Sequence, residues 1–434
     1  MKKIFLFISF MLYLHFVKSQ NINSFSRIDS ITYQMYVEKN WESIIETGEK
    51  AIQDSINFYY LQVRIGISYY ELKKYEQSIK YFENANHENP TDELISEYLY
   101  YAYFFSSRFD DADKFGYNLS EELKTKLGIK KRLVSSIYIE SKYEFRENNR
   151  IEKKIKDQLN QVTVKDLFYY NITSEQKLAG KLKFIESYNN IKITNIAESY
   201  NPFVLPPVYE ENLIQNEYYF GINYHLYKGI DVKAAFRYIE TNIFAEYSYM
   251  NINNVDTTSN YDVYINTYIA FLKFSKRFSL YNISVMSSIS DMDNSTQIQP
   301  EISLTVFPLG NYNLISETSA KYNIQKGNER NTNQLILKQG IGITFFDFIF
   351  LEPSITFGRM NNFVENDAFI VNNDIDPTLL RYEVDIKFVF LKGKLNLFIG
   401  FQSNKKENMF TMNNRDFYKN YITKSIIGGI KWNF

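Results

Sequence analysis

The sequence predicts an α+β chain in two parts: a short helical array, then a transmembrane antiparallel β-barrel of about 14 strands, with 12 or 16 as alternatives. Three observations predict it. The apolar period changes from 3.6 to 2 after "KLGIKK" at 126–131. The alternating segments come in pairs, with minimal turns at one end and longer polar stretches at the other, as in membrane barrels. Aromatic residues make up 17% of the chain, almost all of them Tyr (37) and Phe (36), residues that suit strands and boundaries between apolar and wet surroundings.

Composition narrows the classes further. A formal net charge of -1 over 434 residues leaves no global field for nucleic acid, and no basic patch interleaves with aromatics. The absence of cysteine removes disulfides and thiolate metal sites. The opening "MKKIFLFISFMLYLHFVKSQ" has Lys2 and Lys3, an apolar run from Ile4 to Val17, then Lys18, Ser19 and Gln20. That order predicts a signal peptide over 1–20, because the run is shorter than the roughly 20 residues a spanning helix needs. Its Ser-Gln end resembles cleavage sites of secreted Bacteroidota-type proteins, implying a mature chain that starts at Gln20 or Asn21. A membrane anchor is the alternative.

Residues 22–125 carry the helical period. In "YLQVRIGISYYELKKYEQSIKYFENANHENP" (60–90), Ile65, Gly66 and Tyr69 share one helical face. Tyr75, Ser78, Phe82 and Ala85 follow at helical spacing, and Pro90 closes the unit. This resembles a tetratricopeptide repeat, and the resemblance implies that Gly66, Tyr69, Ser78, Phe82, Ala85 and Pro90 pack the two helices of a repeat together. Trp41, Ile44, Gly48 and Ala51 stand at matching spacings upstream, and Phe109, Ala112, Gly116 and Leu119 downstream, so three repeats are expected. The resemblance implies a protein-binding groove, with exposed Tyr70 and Tyr101 as candidates.

The strand period fills 131–434. In "LLRYEVDIKFVFLKGKLNLFIGF" (379–401), Leu380, Tyr382, Val384, Ile386, Phe388 and Phe390 form one face, against Arg381, Glu383, Asp385 and Lys387. "KGK" turns the chain, and Leu395, Leu397, Ile399 and Phe401 resume the apolar face. Further hairpins are expected with turns at Lys228–Gly229, Ser275 to Arg277, Pro308 to Asn311 and near Asp347. The stretches 242–261, 289–296, 325–332, 361–378 and 404–420 read as long loops, and 132–145, 162–174 and 181–195 as further strands. A β-sandwich or β-helix is the competing fold, but sandwiches seldom keep such long strands in consecutive hairpins. The final strand alternates up to Trp432 and Phe434, which fits an aromatic girdle residue and a terminal assembly signal.

Parity assigns charges to the lumen: Glu140, Lys142, Glu144, Lys183, Lys233, Arg237, Lys338, Glu352, Arg381, Glu383, Asp385, Lys387, Lys394 and Lys431. These are expected either to seal a narrow barrel with cross-strand ion pairs or to wall a wet pore. Catalytic, metal and cofactor sites are not expected. The 3 histidines (His15, His87 and His225) share no metal-ligand spacing, and no phosphate loop, nucleophile elbow or zincin motif occurs. The acidic stretches 291–295 and 372–377 do not match a calcium loop.

The order of signal, helical repeats and barrel resembles Bacteroidota-type outer-membrane β-barrel proteins with an N-terminal periplasmic tetratricopeptide region. That resemblance implies an outer-membrane channel or export barrel whose repeats recruit a periplasmic protein, with surface polysaccharide or envelope export as the implied setting. Outer-membrane lipid and the barrel-assembly machinery are the other implied partners. The alternative is a closed barrel that anchors a repeat-based adaptor for envelope assembly or secretion.

Overall fold

The computed structural model describes residues 24–129, 132–147, 161–178, 180–198, 208–227, 229–250, 256–292, 295–327, 331–346, 348–372, 376–412 and 415–434. The signal segment expected over 1–20 lies outside them. The chain divides into two compact units, Met1–Lys130 and Lys131–Phe434.

The first unit is a run of helices: α1 over 24–37, α2 Trp41–Gln53, α3 Tyr59–Glu71, α4 Tyr75–Glu88, α5 Glu93–Phe105, α6 Phe109–Tyr117 and α7 Glu121–Leu127. No described helix is long and apolar enough to cross a membrane. The starts are capped by side chains that take up otherwise orphaned amides. Asp92 accepts from Leu94 and Ile95 at 2.9 and 3.2 Å, and Ser120 accepts from Leu123 at 3.1 Å. Glycines set how closely the helices pack. A Cβ on Gly48 would lie 2.6 Å from Ile65, and one on Gly66 would lie 2.7 Å from Phe82. Ser78, Phe82 and Ala85 are fully buried, whereas Tyr69 packs toward Ile44 and Leu61 in the neighbouring cluster. The Tyr69 and Tyr81 hydroxyls both donate to Glu49 at 2.7 Å. Burial, then that carboxylate, raises both phenols above their ordinary pKa, so they remain donors. Tyr70 and Tyr101 are not exposed. Both are half-buried among rings that include Phe105, because α3 and α5 bring aromatics together.

The second unit is a closed barrel. Its strands are β1 Val134–Arg146, β2 Gln161–Leu178, β3 Leu182–Glu198, β4 Val208–Tyr227, β5 Ile230–Met250, β6 Asp256–Arg277, β7 Tyr281–Met292 and β8 Ser295–Val306. They continue with β9 Leu314–Gly327, β10 Asn331–Phe345, β11 Ile349–Met360, β14 Thr378–Phe390, β15 Leu395–Met412 and β16 Arg415–Asn433. Each of these fourteen pairs antiparallel with its neighbours, and β1 closes on β16, Ser136 opposite Asn433 and Arg146 opposite Thr423. Closure removes the sheet edges. The remaining short strands, β12 Phe363–Glu365 and β13 Ile370–Asn372, form a sheet of their own. At the short-turn end, Gly229 and Gly393 supply the left-handed backbone (φ 70° and 85°) that tight turns require.

The structure departs from the sequence expectation at two places. The turn placed at Ser275 to Arg277 lies at 278–280, because Lys276 and Arg277 still pair with Ile283 and Asn282. Of the long stretches read as loops, most are strand: β5 and β6 stay paired out to Met250 opposite Asp256, and β15 and β16 to Met412 opposite Arg415. Polar outward residues there mimic loop composition, while the backbone ladder continues through them.

The outer wall explains that polar composition. Tyr188, Tyr218, Tyr238 and Tyr268 stand directly opposite one another on β3 to β6, ring beside ring at 5.4, 6.1 and 5.3 Å. Toward the short turns the outward residues are Phe220, Tyr224, Leu226, Phe236, Leu272 and Phe274, all exposed. Two residues the other way the outward row is Asn190, Asn216, Glu240 and Asn266, and the Tyr188 and Tyr238 hydroxyls donate to Asn216 and Asn266 at 2.8 and 2.9 Å. An apolar belt ending in a tyrosine row is the outer surface of a barrel that stands in lipid, the row marking the headgroup level.

Candidate functional site in the barrel lumen

Between β11 and β14 the chain turns back inside the barrel. There β12 and β13 pair, Val364 opposite Val371, and Asn366, Asp367 and Ala368 form the tip. All three tip residues have positive φ (49°, 59° and 64°) without being glycine, a conformation that persists only when surroundings hold it. The holding groups come from the wall. Lys233 on β5 and Lys273 on β6 grip the Asp367 carboxylate at 2.9 and 3.0 Å. Gln299 on β8 donates to the Val364 carbonyl at 2.6 Å and accepts from its amide at 3.1 Å, replacing a missing strand partner. Asn323 and Lys321 on β9 add bonds to the Asn362 and Val364 carbonyls at 3.3 and 3.4 Å.

Apolar and ionic contacts complete the seat. Val364, Ala368, Val371 and Phe369 pack on Tyr219, Ile239, Ile269, Phe271 and Met286, all on the inner faces of β4 to β7. Arg237 is fully buried. One of its terminal nitrogens meets Glu217 at 2.6 Å and the other donates to the Phe369 carbonyl. At the other side of the hairpin Arg381 bonds Glu365 at 2.6 Å and Asn372 at 3.1 Å. Each buried charge on this seat has an opposite partner at contact distance, the condition under which burial of ions is tolerated.

The hairpin leans on β4 to β10 and so leaves space against β14–β16 and β1–β3. That space is a cavity of about 270 Å³. Seven carboxylates line it but only four cationic side chains, together with aromatic and aliphatic groups from Tyr138, Tyr169, Phe398, Ile191 and Ile193. Glu352 and Asp385 are directly opposite on β11 and β14, and Glu383 is the next inward residue of β14. Gly400 faces Asp385 across β14–β15, and any Cβ there would collide with the Asp385 carboxylate.

The residues predicted for the lumen fall into three groups. Lys233, Arg237 and Arg381 hold the hairpin. Glu140, Lys142, Glu144, Lys338, Glu352, Arg381, Glu383 and Asp385 line the cavity. Lys431 pairs with Glu175 at 3.3 Å, Lys387 lies over the Phe398 ring at 5.9 Å, and Lys183 stands opposite Asn223 on β3–β4. Lys394 is a correction: it lies exposed in the turn after Gly393, ahead of β15, where parity no longer describes direction. Trp432 and Phe434 are exposed on the outer side at the short-turn end. His225 bonds Asp231 at 2.7 Å on adjacent strands. Asp376, from an acidic stretch weighed for calcium, accepts from Asn408 and Tyr421 at 2.8 and 2.7 Å.

Sequence reasoning missed the hairpin. Stretch 361–378 was expected to be an outer loop, yet it carries Phe363, Val364, Ala368 and Val371, all buried. The apolar pair Phe363–Val364 and the run from Ala368 to Val371, set inside a supposed surface loop, were the available signal.

No protein-family model matches the chain, and no curated protein does. Solved structures with some likeness include a Pseudomonas aeruginosa FadL homologue, 8% identical, covering 76% of this chain and 93% of that one at a TM-score of 0.45. The Pseudomonas putida toluene transporter TodX is 6% identical, with coverage of 76% and 93% and a TM-score of 0.42. The NanC porin is 11% identical, with coverage of 51% and 94% and a TM-score of 0.31. At these scores the likeness decides nothing about this chain; its own fourteen-strand closure and lumen do.

Proposed function

We propose that the protein is an outer-membrane channel whose lumen is narrowed by the β12–β13 hairpin, and whose helical unit is a periplasmic tetratricopeptide array that recruits a protein partner. The observation that carries the channel reading is the seat of the hairpin: it packs mainly on the β4–β10 wall and leaves a charged cavity beside it. Even strand number supports the orientation, since it returns both barrel ends to the short-turn side, the periplasmic side in such barrels. Surface polysaccharide or envelope export is the setting implied by the domain order.

The test is current across planar lipid bilayers. The parent protein gives small stable steps. Replacing 362–372 by a short Gly-Ser linker enlarges them several-fold, as expected when a constriction is removed from a barrel. The many bonds that fix the hairpin favour a second reading, a sealed barrel that anchors the repeats. Folded protein silent both with and without the hairpin would establish that reading and sink the channel.

Partner recruitment has its own test. In Gly66→Leu the new side chain strikes Phe82 at the α3–α4 crossing, costing about 1–3 kcal/mol. Pull-down of periplasmic proteins is then lost while the barrel keeps its heat-dependent gel mobility. Loss of both together would show that the units do not act separately.

A further inference from the structure

We propose that the cavity beside the hairpin binds organic ammonium ions with an apolar body. This rests on reading the lumen as a solute path, and names the solute class. The first observation is the placement of charge. Glu352, Asp385 and Glu383 cluster on adjoining inward positions, with Arg381 bonded to Glu365 at 2.6 Å and Lys142 to Glu144 at 3.0 Å. Lys338 and Lys387 face the same region, and the carboxylates still outnumber the cations lining the space.

The second observation is independent of charge. Gln402, across the ladder from Glu383, is 7% exposed and lines the cavity. Its Nε2 donates to Glu383 at 2.7 Å, and its Oε1 is buried with no hydrogen-bond partner among the described residues, one of several such atoms on the inner wall and the one beside the acid cluster. Carboxylates and a free amide oxygen together call for a ligand with several N–H donors and a positive charge. An ammonium group supplies both.

The third observation sets the rest of the ligand. Ile191 and Ile193 on β3, Leu167 on β2 and Phe369 on the hairpin line the same cavity, as do the rings of Tyr138, Tyr169 and Phe398. Aromatic faces attract ammonium as well, so head and body have distinct seats. Gly400 makes room for the Asp385 carboxylate, which lies where a side chain at 400 would start.

The experiment is calorimetry on purified full-length protein in a non-ionic detergent, with 2-phenylethylammonium as probe and 2-phenylethanol and phenylacetate as neutral and anionic isosteres. The amine binds at least about tenfold more tightly than either isostere. Glu383→Gln and Asp385→Asn each weaken it about fivefold or more, and Gln402→Met, which keeps every charge, about threefold. Glu147→Gln, whose carboxylate pairs with Lys424 at 2.6 Å away from the cavity, leaves it unchanged. Retained heat-dependent gel mobility shows that each variant is folded. Equal binding of alcohol and amine overturns the proposal, as does equal affinity in parent, Glu383→Gln and Gln402→Met. Binding without bilayer current would keep the amine site and sink the channel. Current without amine binding would do the reverse.

Discussion

The two halves of the inner wall obey the same alternation and end in different states. On β4 to β10, Lys233, Lys273, Arg237, Gln299 and Lys321 all reach the hairpin, so that half behaves as the interior of a soluble domain. On β11, β14–β16 and β1–β3, Glu352, Glu383, Asp385 and Glu140 border open volume. The difference teaches that the partner, not the residue type, decides whether a lumenal charge is structural. An ion pair buried on both sides is costly to break, whereas a charge facing a cavity is worth little to stability and much to selectivity.

That contrast can be broken in three places. The largest effect belongs to Arg237→Met. It strands Glu217, which is 1% exposed, and removes a bond to the Phe369 carbonyl, so about 3–5 kcal/mol is lost. Urea unfolding of the refolded barrel measures it, and a loss below 1 kcal/mol would mean the seat is not a sealed interior. Next is the double change Lys233→Met with Lys273→Met. It releases Asp367 and the left-handed tip, costing roughly 1–3 kcal/mol locally and making the current noisy as the hairpin moves. Unchanged current noise would show that the apolar contacts alone fix the hairpin. The smallest effect on stability is expected from Glu352→Gln on the cavity side, within about 0.5 kcal/mol, because the side chain is exposed to the lumen. Its effect should appear instead as a reversal potential shifted toward anions in a salt gradient. A destabilisation comparable to that of Arg237→Met would erase the distinction between the halves.

Much of this was legible in the sequence, for a physical reason. A strand in lipid must keep its period, so Leu380 to Phe390 and Arg381 to Lys387 declared their faces without any structure. Helix crossings likewise left a mark, because Gly66 and Phe82 can meet only where one of them is small. What alternation does not encode is the third dimension of the lumen. The apolar residues of "NNFVENDAFIVNND" (361–374) mark it for burial without saying against which wall; that follows from Lys233, Lys273, Gln299 and Arg381, which lie 16 to 134 residues along the chain from the groups they hold and meet them only once closure brings them round. Turn residues mislead in the same way. Lys394 has the right parity and the wrong place, since parity ends where the strand does.

The tyrosine row has a further consequence. It lies near the middle of β5 and β6, which run on to Met250 and Asp256, whereas β7 ends at Met292, hard by Asp291 whose carboxylate accepts the Tyr268 amide. Twelve residues of β5 beyond Tyr238, at about 3.3 Å each and tilted by about 40°, stand roughly 30 Å clear of the headgroups. The β7 side has no such height. The rim at the end away from the short turns is thus a hood, tall over β4 to β6 and low at β7.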